Sequence, residues 1–136
     1  YFHALLRYPR LRVILHASTM MAAHDLRFSV HGTRGSYVKQ GLDTQEDALK
    51  EGRTPGDAAW GDDPRVGTLT SVTGEQLTTR VVDGERGDYR RFYAGVRDAI
   101  HGTAPNPVPA TEARRVMHWL AMGIASSETR MEIVAP

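Results

Sequence analysis

The alternation of apolar and polar residues at the start of the chain predicts a β-hairpin. Residues 1–8 and 11–18 alternate on either side of Pro9-Arg10, a pair that suits a two-residue hairpin loop. In this register one face of the hairpin is apolar throughout, and we expect this face to be buried in the core. The other face mixes apolar and basic side chains and is neither fully core nor fully solvent. Its opposed pairs are His3 with His16, Leu5 with Ile14, and Arg7 with Arg12.

A second hairpin is predicted around the sequence GTRG. Its two glycines are compatible with a phosphate loop, an RNA-backbone clamp or a turn. A phosphate loop leads from a strand into a helix N-terminus, whereas residues 36–40 continue as a strand. We therefore predict a three-residue hairpin loop with Gly35 as a left-handed bulge residue. The corresponding register pairs Val30 with Val38 and His31 with Tyr37.

The remaining periodicity predicts an α+β fold. Strands at 67–72 and 76–82 form a further pair, and a short strand is expected at 131–134. The three helices predicted from capping residues and apolar spacing lie at 44–51 with Asp43 as N-cap, at 88–100, and from Thr111 to Thr129. We expect one domain over residues 1–136, with an open, mostly antiparallel sheet and helices on one face.

Residues 41–66 differ in composition from the rest of the chain. They are rich in Gly, Pro and Asp and predict a long surface excursion. Trp60 within it suggests a packed loop, and Asp62-Asp63 before Pro64 is typical of a turn.

Composition narrows the possible functions. The chain has 136 residues, a formal net charge of +1 and no cysteine. The charge predicts no special attraction to nucleic acid, and no apolar run approaches the roughly 20 residues of a membrane span. The absence of thiols fits a cytoplasmic protein. The chain begins at Tyr1 inside a predicted strand, so we expect it to be part of a longer polypeptide.

The sequence offers no convincing catalytic set. His3, His16 and His31 lack a carboxylate at ligand spacing, so no metal site is predicted. No activated serine motif is present. Lys39, at a strand end, is open to two interpretations: it contacts an anion or hydroxyl at a cleft edge, or it is a charge that keeps the strand end soluble.

Three stretches together resemble a known family. They are RFSVHGTRGSYVKQGLDTQEDALKEG, the dipeptide WG, and YRRFYAGVRDAIHGTAPNPVPATEARRVM. In order and spacing, over about residues 11–130, they resemble the C-terminal half of the glucose–fructose oxidoreductase/inositol dehydrogenase (Gfo/Idh/MocA) family. The GLD-x-QE segment is similar to a subgroup that acts on sugars or cyclic polyols.

The resemblance implies the C-terminal domain of an NAD- or NADP-dependent oxidoreductase that transfers a hydride. It implies a preceding Rossmann domain, which this sequence does not contain. The family's Glu-Lys-Pro segment with its catalytic lysine, and its Asp/His pair, are also missing. No catalytic or cofactor-binding residue therefore carries over, and we expect the isolated chain to be inactive.

The resemblance also implies a small carbohydrate or polyol substrate and a homo-oligomer formed through the open sheet face. We expect no nucleic-acid or membrane partner. The candidate substrate-side residues are Lys39, Asp43, Gln45 and Trp60. The candidate interface residues are His3, Leu5, Ile14, His16, His31 and Tyr37.

Two other functions stay open on sequence alone. The chain is also compatible with a stand-alone module that self-associates through its sheet face without catalysis. Binding of RNA through GTRG would require salt-dependent affinity that is lost on Arg34→Ala.

Overall fold

The computed structural model describes residues 1–23 and 25–134, which form two compact units. One unit contains residues 1–22 and the described residues from 95 onward, and the other contains the described residues of 23–94. The described elements are β1 Phe2–Arg7, β2 Arg12–Ala17, β3 Leu26–Gly32, β4 Gly35–Gln40, α1 Gln45–Lys50, β5 Gly67–Thr73, β6 Gln76–Val82, α2 Tyr89–Ile100 and α3 Ala110–Thr129. The expected combination of antiparallel sheet and helices is confirmed, although the strands form two sheets.

The first unit contains the hairpin β1–β2 in the predicted register. His3 pairs with His16, and Leu5 pairs with Ile14. The Tyr8 backbone N–H donates to Leu11 O at 2.9 Å and closes the loop. The Pro9-Arg10 loop and the alternation agree, so the register is determined locally.

The strand predicted at 131–134 is wrong. α3 ends where Arg130 adopts the left-handed conformation, with φ of 55°. After it, the Ser126 hydroxyl donates to Met131 O at 2.6 Å, and the Glu132 carboxylate accepts from the Arg7 guanidinium at 2.6 Å. Side-chain bonds, and not a strand ladder, hold this segment.

The second unit contains a four-stranded antiparallel sheet in the order β3-β4-β5-β6. GTRG is a hairpin turn as predicted, but its register is shifted by one residue. Gly32 pairs with Gly35, so His31 lies opposite Ser36 and Val30 opposite Tyr37. His31 and Tyr37 therefore point to opposite faces of the sheet.

The shift arises because Gly35 belongs to β4 and not to the loop. Gly35 is not among the glycines with positive φ. A Cβ at this position would lie 2.6 Å from Thr70 O on the neighbouring strand β5. Gly35 is required for close approach of two strands, and not for a left-handed bulge.

The start of α1 also differs from the prediction. The N-cap is Thr44, one residue after the predicted Asp43. The Asp43 carboxylate still accepts a hydrogen bond from the Gln45 backbone N–H at 2.8 Å. It therefore satisfies one of the free N–H groups at the start of the helix. α3 begins at Ala110, one residue before the predicted Thr111.

Among the described residues, the buried side chains larger than glycine all lie in the second unit: Lys39, Gln45, Ala48 and Trp60. Trp60 is 2% exposed, which confirms that its loop is packed. The glycine-rich segment is thus the site of closest packing in this unit.

A pair of glycines ties this segment to the chain before α2. The Gly87 N–H donates to Gly61 O at 3.1 Å. Gly61 has a φ of 72°, and a Cβ there would overlap the carbonyl oxygen of Gly87. Both the backbone conformation and the available space therefore require glycine at position 61.

No helix of the described residues is both long enough and apolar enough to cross a membrane.

We predict that Gly61→Ala destabilises the protein by about 3 kcal/mol or more, because strain at positive φ adds to a backbone overlap. Gly74→Ala is the matched control, since Gly74 has a φ of 61° but no atom within 4 Å of an added Cβ. This control should lose only about 1 kcal/mol. Urea unfolding followed by tryptophan fluorescence measures both values, and equal losses would show that the close approach contributes nothing.

Candidate functional site

The second unit contains an open cleft of about 220 Å³. Residues of β3 and β4 line one wall. The residues before α1, the loop at 61–63 and the loop at 84–87 line the others. The cleft thus lies where one sheet face meets the packed glycine-rich segment.

Lys39 lies at the base of this cleft and is 8% exposed. Its Nζ donates to Asp63 Oδ2 at 2.7 Å, to Arg65 O at 2.7 Å and to Gln40 O at 3.1 Å. An ammonium group has three donors. All three are used inside the chain, so Lys39 holds the 63–65 segment against β4.

Asp63 receives bonds from both sides. Its Oδ1 accepts from Arg65 Nε at 2.8 Å and from the Arg65 backbone N–H at 3.0 Å. The hydrogen bond from Lys39, with a smaller contribution from Arg65, lowers the pKa of Asp63 well below its usual range, against the opposing effect of burial. The Asp63 carboxylate is therefore ionised at neutral pH.

Gln45 connects the back of the site. Its Oε1 accepts from Trp60 Nε1 at 2.9 Å and from the Tyr89 backbone N–H at 2.9 Å. Its Nε2 donates to both carboxylate oxygens of Asp43 at 3.2 Å. In the described part of the chain, no buried side-chain nitrogen or oxygen is left without a partner.

Tyr37 reaches the cleft because β5 has a glycine beside it. A Cβ at Gly67 would overlap the Tyr37 ring, so the ring covers Gly67 on the cleft face. On β3, the Arg27 guanidinium lies 5.4 Å from the centre of the Phe28 ring. Aromatic and charged groups thus alternate along this wall.

Of the four predicted substrate-side residues, Asp43, Gln45 and Trp60 are joined by hydrogen bonds, whereas Lys39 bonds to Asp63 and to backbone oxygens. Lys39 and Asp43 line the cleft. Gln45 and Trp60, which are 1% and 2% exposed, lie behind it and bond within the chain. Contact of any of the four with a substrate stays a prediction.

Sequence reasoning assigned Tyr37 to the interface and gave no substrate-side role to five other side chains that line the cleft: Arg27, Phe28, Thr44, Asp63 and Glu85. The alternation of β4 places Tyr37 and Lys39 on one face, and this signal could have identified Tyr37. For Asp63 the sequence predicted only a turn. Its ion pair with Lys39 could not be predicted, because the two residues are distant in sequence.

The predicted interface residues are divided between the two units. His3, Leu5, Ile14 and His16 share one face of β1–β2, where Leu5 is 61% and Ile14 63% exposed. The Nδ1 atoms of His3 and His16 are 3.4 Å apart.

His31 and Tyr37 belong to the other unit. The two ring nitrogens of His31 hydrogen-bond the hydroxyls of Ser29 and Ser36 at 2.7 and 2.8 Å. Within residues 1–23 and 25–134, no three His, Asp or Glu side chains are grouped to hold a metal ion.

The described residues do not fit a dinucleotide. Dinucleotide-binding folds use a parallel sheet and a glycine-rich turn from a strand into a helix N-terminus. Every strand pair that the structure describes is antiparallel. A nicotinamide cofactor would therefore have to be held by residues outside the described chain.

Comparison with known proteins identifies the fold. The family described as "Oxidoreductase family, C-terminal alpha/beta domain" matches residues 1–135. The chain is 48% identical over 130 residues to the uncharacterised oxidoreductase YdgJ of Escherichia coli, covering 96% of this chain and 38% of YdgJ. It is 35% identical over 136 residues to IolW of Bacillus subtilis, a scyllo-inositol 2-dehydrogenase (NADP(+)), covering 98% of this chain and 38% of IolW.

Solved structures agree. The YPO2259 protein of Yersinia pestis superimposes with a TM-score of 0.90 at 50% identity, over 98% of this chain and 39% of that one. The yvaA protein of Bacillus subtilis gives a TM-score of 0.92 at 32% identity, over 98% of this chain and 40% of that one. The chain thus spans about two-fifths of the length of these relatives.

We predict that stability falls on acidification through Asp63. Because the folded state lowers the pKa of this carboxyl, the unfolded state binds the proton more readily. The resulting stability is present above the unfolded pKa near 4 and is lost progressively as the pH falls below it.

Asp63→Asn should therefore reduce the fall in unfolding free energy between pH 5 and pH 3, and it should cost about 3 kcal/mol at pH 7 by leaving Lys39 unpaired. Asp83→Asn, an exposed carboxylate in the loop after β6, should keep the original slope. Urea midpoints over this pH range provide the measurement, and an unchanged slope in Asp63→Asn would refute the assignment.

Proposed function

The chain belongs to the Gfo/Idh/MocA oxidoreductase family as its C-terminal α/β domain, and from this we propose that it is the substrate-binding and oligomerisation domain of an NAD(P)-dependent dehydrogenase. The proposed substrate is a sugar or cyclic polyol. The observation that carries this proposal is the family match over residues 1–135, together with the similarity to a named inositol dehydrogenase.

The proposed reaction oxidises a ring alcohol to a ketone. The alcohol carbon gives a hydride to the oxidised nicotinamide, and the hydroxyl proton leaves to a base. The cofactor site and the acid–base lysine of the family would be supplied by the preceding domain. The role of this chain is to bind and orient the polyol, so the chain alone would not catalyse the reaction.

The cleft supports a binding role. It combines ionised side chains with two aromatic rings, one of which is a phenol, within about 220 Å³. The Lys39 ammonium donates a hydrogen bond to the Asp63 carboxylate, which ties two parts of the lining together. A rigid polar cleft of this kind suits a ligand with several hydroxyl groups.

The exposed face of β1–β2 supports the oligomer. Leu5 and Ile14 are adjacent on a strand pair and largely exposed, and two histidines continue the same face. Exposed apolar side chains rimmed by polar groups are typical of protein interfaces. We propose that a second copy of the parent protein covers this face in a cytoplasmic homo-oligomer.

We expect the full-length protein to oxidise scyllo-inositol or a related polyol with NADP⁺ or NAD⁺. Absorbance of the reduced nicotinamide at 340 nm measures the rate over a panel of inositols and aldoses. Residues 1–136 alone are the control and should show no turnover, because the cofactor site lies elsewhere. Absence of turnover by the full-length protein over the whole panel with both cofactors would overturn the proposal.

We expect Ile14→Lys to lower the oligomer mass of the full-length protein, because a charge on an apolar interface costs several kcal/mol on burial. Leu77→Lys is the matched control, since Leu77 is also on a strand and is 68% exposed but lies in the other sheet. Light scattering after size-exclusion chromatography reports both masses. An unchanged mass for Ile14→Lys would remove β1–β2 from the interface.

A further inference from the structure

Most polar groups of the cleft are already engaged within the chain. Lys39 and Asp63 are bonded to each other, and the Asp43 carboxylate accepts two groups of Gln45. Three groups at the cleft differ. In the part of the chain that the structure describes, the Glu85 carboxylate and the Tyr37 hydroxyl have no hydrogen-bond or ion-pair partner, and the Arg27 guanidinium contacts only the Phe28 ring.

The charges of the cleft favour an uncharged ligand. Lys39 and Asp63 cancel at 2.7 Å. Of the other charged side chains that line it, Arg27 is positive, whereas Asp43 and Glu85 are negative. The balance is therefore one negative charge, which disfavours carboxylate and phosphate ligands. Free carboxylate oxygens accept hydrogen bonds, and hydroxyl groups donate them.

The size and walls of the cleft favour a single ring. A volume of about 220 Å³ is below the roughly 300–1,000 Å³ of drug-sized pockets. The rings of Phe28 and Tyr37 line the same wall and offer an apolar surface to C–H groups. A six-membered ring with hydroxyl groups matches both properties.

From these observations we infer that Glu85 and Tyr37 are specificity residues that bind the substrate's hydroxyl groups and select uncharged polyols over sugar acids and sugar phosphates. Glu85 accepts from a pair of hydroxyls, and the Tyr37 phenol bonds a third hydroxyl from the β4 wall. The inference rests on the proposed function for the identity of the ligand, and it adds the residues and the charge selection.

The test uses the full-length protein with scyllo-inositol and D-glucuronate. Glu85→Gln should raise the KM for scyllo-inositol about tenfold with kcat changed less than twofold, because a charged acceptor is lost in binding. The same change should narrow the preference for inositol over glucuronate about tenfold, since it removes the repelling charge. Glu75→Gln, in the exposed β5–β6 turn, should match the original protein.

Tyr37→Phe keeps the ring over Gly67 and removes only the hydroxyl. It should raise the KM for scyllo-inositol about threefold to tenfold, and Tyr93→Phe, an exposed helix residue, should not. Thermal midpoints equal to that of the original protein will show that each variant is folded. If both variants are folded and their KM values and their preference for inositol over glucuronate are unchanged, the inference is overturned. The proposed function still stands in that case, because the original protein turns over scyllo-inositol.

A different result would show that the proposed function, and not the inference about Glu85 and Tyr37, is wrong. If the full-length protein turns over no member of the panel, calorimetric titration of scyllo-inositol into it, with NADP⁺ present, tests the cleft directly. Binding that weakens about tenfold in Glu85→Gln but not in Glu75→Gln supports the inference without the reaction. No binding, or equal binding by both variants, overturns it.

Discussion

The second unit depends on the buried amide of Gln45. Its oxygen accepts bonds from the Trp60 indole and from the first backbone N–H of α2, and its nitrogen binds the Asp43 carboxylate. A buried polar group that lost these partners would cost more than one ordinary hydrogen bond, because it could not reach water. One side chain at the start of a six-residue helix thereby determines where a loop, a turn and a longer helix meet.

Glycines make this junction possible. Gly61 and Gly87 allow two loop backbones to bond directly, and a Cβ on Gly87 would lie 2.6 Å from Gln45 Nε2. On the sheet, Gly67 makes room for the Tyr37 ring. The cleft is therefore shaped by backbone approach as much as by side chains, and the loops around it are ordered without a large apolar core.

Local signals predicted the parts of this structure that depend on local interactions. The β1–β2 register followed from alternation and the Pro9-Arg10 loop, and α2 ends before Gly102 as its sequence indicated. The predicted GTRG register was wrong because the position of Gly35 is determined by its close approach to the backbone of β5, which lies far along the chain. The same limit applies to the Lys39–Asp63 pair, since neither sequence position indicates its partner. Of the residues that line the cleft, Lys39 and Asp43 were predicted from the sequence, whereas Tyr37 was assigned to the interface although strand alternation aligns it with Lys39.

The bonding of Lys39 has a consequence for its chemistry. The chain contains two lysines, and Lys50 on α1 is largely exposed and forms ion pairs with Glu46 and Asp47. Lys39 is buried and directs its three N–H bonds to fixed acceptors. An amine-selective reagent would thus distinguish two side chains of the same type: it acylates Lys50 in the native protein and reaches Lys39 only when the sheet and its packed loop separate.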